Sequence, residues 1–247
     1  MRTLSYGPGR QHLLDLTLPA GDGPHPVAFV LHGGFWRAKY KRVLMAPLCA
    51  DLAARGWAAV NVEYRRVGWL RGGGGGVPAT LEDVAAALDH LADVDAPLDL
   101  ERVVSVGHSA GGHLALWAAA PRPGARVRCA GAVGQAAVSD LQRAAELGLG
   151  AGIVRRFCGG GPEEVPARYR EASPAALLPL GVPQLLVHGE RDDVVPASLS
   201  RGYAAAARAG GDDVALVLRP PDGHLEHIDP ASGAWEAVTS WLTRFAR

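Results

Sequence analysis

Short β-rich runs alternate with helical segments rich in alanine and leucine along almost the whole chain, and this alternation constrains the fold more than any other feature. Strands are predicted at "QHLLDLTLP", "PVAFVLHGG", "WAAVNVEYR" and "RVVSVGHS", with "LMAPLCADLAARG" and "LEDVAAALDHLADV" as helices among them. The pattern continues to the closing helix "GAWEAVTSWLTRFAR". It is typical of a mostly parallel sheet with helices on both faces, so the sequence predicts an α/β fold.

The chain length of 247 residues fits one α/β domain, 1–247, with a single apolar core. Two segments interrupt the alternation. The irregular segment 139–179 is predicted to be a small cap or lid, with a surface excursion of no such role as the alternative. The glycine run 72–76 lacks the lysine and Ser/Thr of a phosphate-binding loop and is predicted to be a flexible loop.

Composition excludes several classes of partner. The chain has 25 basic and 25 acidic residues, so no global field favours nucleic acid or an anionic membrane, and a small-molecule partner is expected. No run approaches the roughly 18 apolar residues of a spanning helix, and the N-terminus lacks the apolar core of a signal peptide. These features predict a cytoplasmic protein. They leave open whether it forms a homodimer.

The three cysteines, Cys49, Cys129 and Cys158, are too few and too scattered for a disulfide framework or a zinc site. They are predicted to be reduced thiols.

Two residues are predicted to mark helix ends: Gly56 as the stop of the first helix and Thr80 as the N-cap of the second.

A serine between glycines stands where a predicted strand runs into a predicted helix. In "GHSAGGH", Gly107, Ser109 and Gly111 match the nucleophile-elbow pattern G-x-S-x-G in the strand–turn–helix context that it needs. The pattern also arises by chance in a glycine-rich chain. The role of Ser109 therefore depends on a base and an acid that can reach it.

Two histidines lie close to Ser109, but neither is well placed to be its base. His108 immediately precedes the serine, so its side chain should leave the turn in another direction. His113 lies in the following helix and should pack beneath the serine. Both are predicted to be packing or turn-bracing residues.

Better candidates lie in two loops that follow predicted strands, where an open α/β sheet keeps its site. Asp192 and Asp193 stand in "HGERDDVVP", and His224 and His227 stand in "HLEHIDP". A serine, an aspartate and a histidine thus follow one another in the chain order of the α/β hydrolases.

These segments together resemble the α/β-hydrolase superfamily, and within it the small carboxylesterases and kynurenine formamidase-like enzymes related to the hormone-sensitive lipase group. The resemblance rests on "YGP", "LDLTLP", "HGGFW", "VNVEYRR", "GHSAGGHLA", "HGERDDVVP" and "HLEHIDP". It implies the α/β-hydrolase fold with a small cap insertion, and a serine hydrolase that needs no metal or organic cofactor.

The same resemblance ranks the candidates for acid and base. The pattern HG-x-x-D-x-x-VP aligns the family's acid with Asp192 and makes Asp193 its neighbour. Asp140 is a third candidate, because some hydrolases take their acid from that region. The pattern H-F-x-x-I-D-P aligns the base with His224 and leaves His227 as its rival.

The oxyanion hole must present backbone N–H groups to the charge that develops on the carbonyl oxygen. An elbow contributes the N–H of the residue after the nucleophile, here Ala110. Resemblance to the HGGG-type loop adds Gly34 and Phe35. Phenylalanine in the third position departs from HGGG, so the choice between these two donors stays open.

Three further residues near these motifs receive roles. The resemblance assigns His32 to bracing the loop before the oxyanion hole. Trp36 and His108 are candidate substrate-binding residues, with the alternative that Trp36 is simply part of the core.

The predicted reaction is a two-step acyl transfer in which Ser109 attacks an ester or amide carbonyl, His224 takes its proton and Asp192 orients the imidazole. Small carboxylic esters are the predicted substrates. An arylformamidase that acts on N-formylkynurenine is the alternative, suggested by the HGG-aromatic-W variant. A small-peptide hydrolase and a catalytically inactive ligand receptor are less favoured, since the chain has no room for a propeller and keeps all three residues.

Overall fold

Eight strands form one sheet in the computed structural model of the chain, which describes residues 1–68 and 72–246. Their order across the sheet is β1-β2-β4-β3-β5-β6-β7-β8. The strands are β1 (Arg2–Ser5), β2 (Leu13–Thr17), β3 (His25–Leu31), β4 (Ala58–Val62), β5 (Leu98–His108), β6 (Gly131–Gln135), β7 (Gln184–Gly189) and β8 (Val214–Arg219).

The six strands β3 to β8 pair in parallel, and β2 runs antiparallel to both of its neighbours. This arrangement confirms the mostly parallel sheet that the sequence predicts. The sequence pattern missed β1, a short and mostly exposed edge strand that pairs only with β2. Such a strand carries little hydrophobic periodicity because neither of its faces is buried.

Helices cover both faces of the sheet, as predicted. They are α1 (Ala46–Ala54), α2 (Ala79–His90), α3 (Ala110–Ala119), α4 (Leu141–Glu146), α5 (Leu149–Cys158), α6 (Pro166–Ala172), α7 (Ser198–Ala209) and α8 (Gly233–Leu242). Along β3, successive side chains belong alternately to two apolar clusters, because neighbouring residues of a strand point to opposite faces. One cluster includes Val84 and Leu114 from α2 and α3, and the other includes Leu52 and Trp235 from α1 and α8.

The two predicted helix ends have different outcomes. Gly56 follows the end of α1 with a left-handed φ of 90°, which confirms its place as the stop. The prediction for Thr80 is wrong, because α2 begins one residue earlier and Pro78 precedes it. The Thr80 hydroxyl accepts from the Gly76 N–H at 2.9 Å and donates to the Arg65 carbonyl at 2.7 Å.

The glycine run 72–76 is packed against the backbone that follows β4. The Arg66 N–H donates to the Gly72 carbonyl at 2.9 Å, and the Gly75 N–H donates to the Arg66 carbonyl at 2.8 Å. A Cβ on Gly75 would lie 2.2 Å from the Arg65 carbonyl oxygen. This run is therefore a loop, as predicted, that hydrogen bonds hold against the chain; its flexibility stays a prediction. Residues 69–71 of the same predicted loop lie outside the described residues.

The segment 139–179 lies between β6 and β7 and contains α4, α5 and α6.

The three cysteines are all buried with free thiols, in agreement with the sequence. Within the described part of the chain, no helix has the length and apolar character to cross a membrane. The cytoplasmic location and the homodimer stay predictions.

Candidate active site

Ser109 lies on a sharp turn between β5 and α3, with φ 56° and ψ −119°. Its N–H donates to the Gln135 carbonyl at the end of β6, at 2.7 Å. A Cβ on Gly107 would lie 2.0 Å from the Gly111 carbonyl oxygen, and a Cβ on Gly111 would lie 2.0 Å from the Leu31 carbonyl oxygen. Both glycines are therefore required by the close approach of strand and helix backbones around the serine.

His224 and Asp192 are joined by a hydrogen bond of 2.7 Å between Nδ1 and Oδ2. They lie in the loops that follow β8 and β7. The Asp192 side chain is fully buried, and the His224 side chain is 10% exposed. Because Nδ1 donates to the carboxylate, Nε2 of His224 is left as an acceptor. His224 and Ser109 line the same cavity.

Several donors hold the Asp192 carboxylate. Its Oδ1 accepts the N–H groups of Val194 at 2.9 Å and Val195 at 2.8 Å. Burial favours the neutral acid, but hydrogen bonds from His188, His224 and Val195 outweigh it and hold the pKa of Asp192 far below its usual range. Asp192 is therefore a permanent carboxylate at neutral pH.

The rival acids and base do not join Asp192 and His224. His227 is buried, and its Nε2 accepts the Gly189 N–H at 3.2 Å. Asp193 is exposed at the cavity. Asp140 accepts the Arg143 N–H at 3.0 Å and caps α4. The structure thus brings Asp192 and His224 together, gives His227 and Asp140 other partners, and leaves the Asp193 side chain exposed.

His108 contacts the His224 loop. Its Nε2 lies 2.9 Å from the His224 carbonyl oxygen and donates to it, and the two rings are 4.6 Å apart. Burial lowers the pKa of His108 to about 3, so the ring is neutral. His108 also lines the cavity. Its Nε2 is committed to the backbone, which fits the predicted turn-bracing role better than the predicted contact with substrate.

The loop after β3 has an unusual backbone. Gly34, Phe35 and Trp36 have φ values of 107°, 49° and 51°. A Cβ on Gly34 would lie 2.3 Å from the Tyr40 ring, so only glycine fits there. Left-handed φ in two residues with side chains is strained, and such strain is concentrated at functional sites.

The oxyanion-hole role of Gly34, Phe35 and Ala110 stays a prediction, with two observations in its favour. Gly34 and Phe35 line the cavity together with Ser109. Ala110 is the first residue of α3, so its N–H has no acceptor within the helix.

Trp36 does not line this cavity, and its predicted contact with substrate is wrong. The indole is fully buried, stacks on Phe157 of α5 at 4.3 Å and meets His113 edge-on at 5.2 Å. Two consecutive left-handed residues place Phe35 at the cavity and Trp36 in the core. His113 packs beneath the turn as predicted, with its Nε2 2.8 Å from the Ala172 carbonyl oxygen.

The helix α5 supports the loop after β3. Arg37 donates to the Gly150 carbonyl at 2.6 Å. A Cβ on Gly150 would lie 3.0 Å from the Phe35 ring, so the two segments touch closely. No residue of 139–179 is among the described residues that line the Ser109 cavity. In this structure the segment supports the loop from behind, and its action as a lid stays a prediction.

His32 connects the loop after β3 to a buried ionic network. Its Nδ1 lies 2.8 Å from the Gly33 carbonyl oxygen, and its Nε2 lies 3.0 Å from Glu63 Oε1. Arg66 forms an ion pair with the same carboxylate, and the Tyr64 hydroxyl donates to the His32 carbonyl at 2.6 Å. Burial lowers the pKa of His32 to about 3. These contacts give His32 the bracing role that the resemblance assigns to it.

The cavity over Ser109 has a volume of about 560 Å³. Apolar side chains contribute much of its wall: Phe35, Leu44, Val194, Leu225 and Ile228. This size suits a small ligand with an apolar part, placed against a few polar groups.

Sequence reasoning missed Glu63, Arg66 and His188. Glu63 and Arg66 stand in "VNVEYRR", where two charges directly after a buried strand could have indicated a buried ion pair. His188 stands at the end of the apolar run "QLLVHG", next to the predicted acid loop. A polar ring in such a run needs hydrogen-bond partners, and the nearest candidates were in that loop.

An elbow serine after β5, with a carboxylate after β7 and a histidine after β8, is the arrangement of the α/β hydrolases, and the sheet topology places the chain in that class. The comparison with family models is more specific. The BD-FAE family model matches residues 14–206, and the chain belongs to this family.

Curated relatives and solved structures agree with this placement. The chain is 29% identical to the esterase LipQ of Mycobacterium tuberculosis over 249 residues, which covers 90% of this chain and 56% of LipQ. It therefore spans little more than half the length of that relative. A truncated carbohydrate esterase from gut microbiota superposes with a TM-score of 0.84 at 18% identity, covering 100% of this chain and 96% of that one.

A thermophilic esterase from the Planctomycetes species Thermogutta terrifontis, Est2 with butyrate bound, superposes with a TM-score of 0.77 at 22% identity. The match covers 98% of this chain and 93% of that chain. At these identities the structural likeness shows the shared fold.

Proposed function

We propose that the chain hydrolyses small carboxylic esters, with Ser109 as nucleophile, His224 as general base and Asp192 as the acid that orients it. The observation that carries this proposal is the 2.7 Å hydrogen bond between His224 and Asp192, made beside a cavity that Ser109 also lines. It fixes the tautomer in which Nε2 of His224 accepts a proton.

The reaction follows from these positions. Ser109 Oγ attacks the ester carbonyl while its proton passes to His224 Nε2. The negative charge that forms on the carbonyl oxygen is stabilised by the N–H of Ala110 and by that of Gly34 or Phe35. His224 then protonates the departing alcohol, and water releases the acyl group by the same route.

Small esters are favoured over other acyl substrates by the cavity and by the relatives. The apolar wall and the volume of about 560 Å³ fit a short acyl group with a modest alcohol. LipQ is a curated esterase, and the Thermogutta terrifontis esterase was solved with butyrate. N-formylkynurenine is the alternative substrate, because the same residues can attack a formamide.

The experiment compares kcat/KM on p-nitrophenyl acetate, butyrate and octanoate and on N-formylkynurenine. We expect the short esters to be preferred, and Ser109→Ala to remove all detectable turnover. Ser105→Ala is the matched control, since Ser105 is equally buried but bonds to the Ala115 carbonyl. A preference for N-formylkynurenine would replace the ester assignment with the formamidase.

A fluorophosphonate probe separates an enzyme from a ligand receptor. We expect the wild-type protein to be labelled and Ser109→Ala not to be. If the wild-type protein neither reacts with the probe nor turns over any of these substrates, the proposed function is wrong.

A further inference from the structure

His188 is a second imidazole on the Asp192 carboxylate. It lies at the end of β7, is fully buried, and its Nε2 lies 3.3 Å from the same Oδ2 atom that accepts from His224. Its Nε2 also lies 2.8 Å from the Val195 carbonyl oxygen. On the other side of the ring, Nδ1 is 2.7 Å from the Ser200 hydroxyl.

These partners fix the protonation of the ring. Nε2 faces only oxygens that accept, so it carries a proton: it donates to the Val195 carbonyl at 2.8 Å and lies in electrostatic contact with Asp192 Oδ2 at 3.3 Å. Nδ1 can then accept a hydrogen bond from the Ser200 hydroxyl. The ring is held at both nitrogens, and His188 cannot turn away from the carboxylate without losing a buried hydrogen bond.

We infer that His188 is a positioning residue for the reaction: it holds Oδ2 of Asp192 in place for His224, and competes with His224 for the charge on that oxygen. The inference rests on the proposed ester hydrolysis. It goes further because it adds a second histidine to the site. This histidine is held in turn by the Ser200 hydroxyl of α7.

The competition has a predictable direction. The Nε2–H group of His188, 3.3 Å from Oδ2, stabilises negative charge on that oxygen, so the carboxylate attracts the His224 imidazolium less than it would without this group. Removal of the His188 donor should therefore strengthen the attraction between Asp192 and protonated His224. The acidic limb of kcat/KM should therefore move to higher pH, because less of the enzyme is in its active form at mildly acidic pH.

Other groups around the pair must stay constant for this test. The His108 ring lies 4.6 Å from the His224 ring, and the His227 ring meets the His188 ring edge-on at 6.4 Å. Asp193 and Glu226 line the cavity beside His224. A substitution at His188 leaves His108, Asp193 and Glu226 in place, and His227 stays neutral at the pH of the assay because burial lowers its pKa to about 4. A shift of the pH profile can therefore be referred to the His188–Asp192 contact.

The variants are His188→Leu, which removes the donor, and His188→Gln, which can place an amide N–H near the position of Nε2. His25→Leu is the matched control, because His25 is also a buried histidine but lies at the start of β3 and contacts Gly21. The measurement is the pH dependence of kcat and of kcat/KM on p-nitrophenyl acetate, with circular dichroism as the check of folding.

We expect the acidic limb of kcat/KM to move to higher pH by about half a unit to one unit in His188→Leu. We expect kcat to fall by about 10- to 100-fold, as for a misplaced catalytic group, with a smaller change in KM. His188→Gln should recover part of both effects, and His25→Leu should show neither. An acidic limb equal to that of wild type in His188→Leu, with no advantage for His188→Gln, would overturn the inference.

Ser200→Ala keeps the test decisive if His188→Leu does not fold. This substitution removes the hydrogen bond that fixes the His188 ring and leaves Asp192 and His224 intact. We expect the acidic limb of kcat/KM to shift in the same direction by a smaller amount. An acidic limb that coincides with that of wild type overturns the inference. Loss of ester hydrolysis in the wild-type protein itself would instead contradict the proposed function, so the two failures are distinguishable.

Discussion

The Trp36 indole stacks on the Phe157 ring, with 4.3 Å between the ring centroids and 18° between the planes. This contact joins the loop after β3 to α5, and Arg37 adds a hydrogen bond to the Gly150 carbonyl beside it. Because Gly34 and Phe35 belong to the same loop, the position of the proposed oxyanion hole depends on a helix that does not touch the cavity.

The variant Phe157→Leu tests this dependence. A leucine fills part of the space but cannot stack on the indole, so the loop should lose its fixed position. We expect kcat on p-nitrophenyl acetate to fall by about 10-fold, since a small displacement of catalytic groups is costly. Phe29→Leu is the matched control, because Phe29 is also fully buried but lies within β3. Equal losses in both variants would contradict a specific role for α5.

The sequence was sufficient for features that are local or periodic. Alternating strands and helices predicted the sheet, and the glycines beside Ser109 predicted the elbow, because both depend on backbone geometry within a few residues. The acid and base needed the resemblance to a family to rank Asp192 above Asp193 and His224 above His227. Spacing alone does not say which of two near neighbours faces a serine.

The remaining features depend on contacts between distant segments. The orientation of Trp36 is set by two left-handed residues and by Phe157, which no local pattern reveals. The supporting role of 139–179 has the same origin. His188 was missed because a histidine in an apolar strand gives no sign of its partners until the strand and the acid loop are placed together.

Glu63 offers a test of the buried network behind the oxyanion loop. Glu63→Gln leaves the Arg66 guanidinium, which is 3% exposed, without its carboxylate. Breaking a buried pair by removing one partner costs about 3 kcal/mol, so we expect a loss of that order in the free energy of unfolding, measured with urea. We also expect lower kcat, because an uncharged amide holds the His32 ring less strongly than the carboxylate does.

Asp99→Asn is the control for Glu63→Gln. Asp99 pairs with Arg102 across three residues, and both side chains are partly exposed. Such a pair contributes less than about 1 kcal/mol to the free energy of unfolding. Similar losses for the two variants would show that the Glu63 network is no more important than a surface ion pair.

Buried histidines predict that the protein is sensitive to acid. Burial lowers the pKa values of His32 and His108 to about 3, and those of His113 and His227 to about 4, from an ordinary value of 6.5. The unfolded chain therefore takes up protons at pH values where the folded chain does not. Stability that is fully present above pH 6.5 is lost progressively as the pH falls toward 4.

The expected loss in the free energy of unfolding between pH 7.5 and pH 5.5 is about 1.4 kcal/mol for each of these histidines, or about 5.5 kcal/mol for the four. Urea unfolding at the two pH values measures it. In His113→Leu the free energy of unfolding should differ between the two pH values by about 1.4 kcal/mol less than in wild type, whatever the stability of the variant at pH 7.5. A difference unchanged from wild type would contradict the assignment for His113.

The strain at Ser109 predicts that activity and stability oppose each other at this residue. Its φ of 56° and ψ of −119° suit glycine and no residue with a Cβ, and strain of this kind costs on the order of 1–3 kcal/mol. We expect Ser109→Gly to be more stable than Ser109→Ala by about 1 kcal/mol, because glycine relieves the strain but gains entropy in the unfolded chain.

Urea unfolding of the two inactive variants, followed by circular dichroism, measures this difference directly. Gly202→Ala serves as the control for the ordinary effect of a Cβ, since Gly202 lies within α7 and a Cβ there would meet no atom within 4 Å. In that helix alanine should be the more stable residue by roughly 0.5–1 kcal/mol. Glycine should thus stabilise the turn at position 109 and destabilise the helix at position 202. If alanine is preferred at both positions, the backbone at Ser109 is not strained.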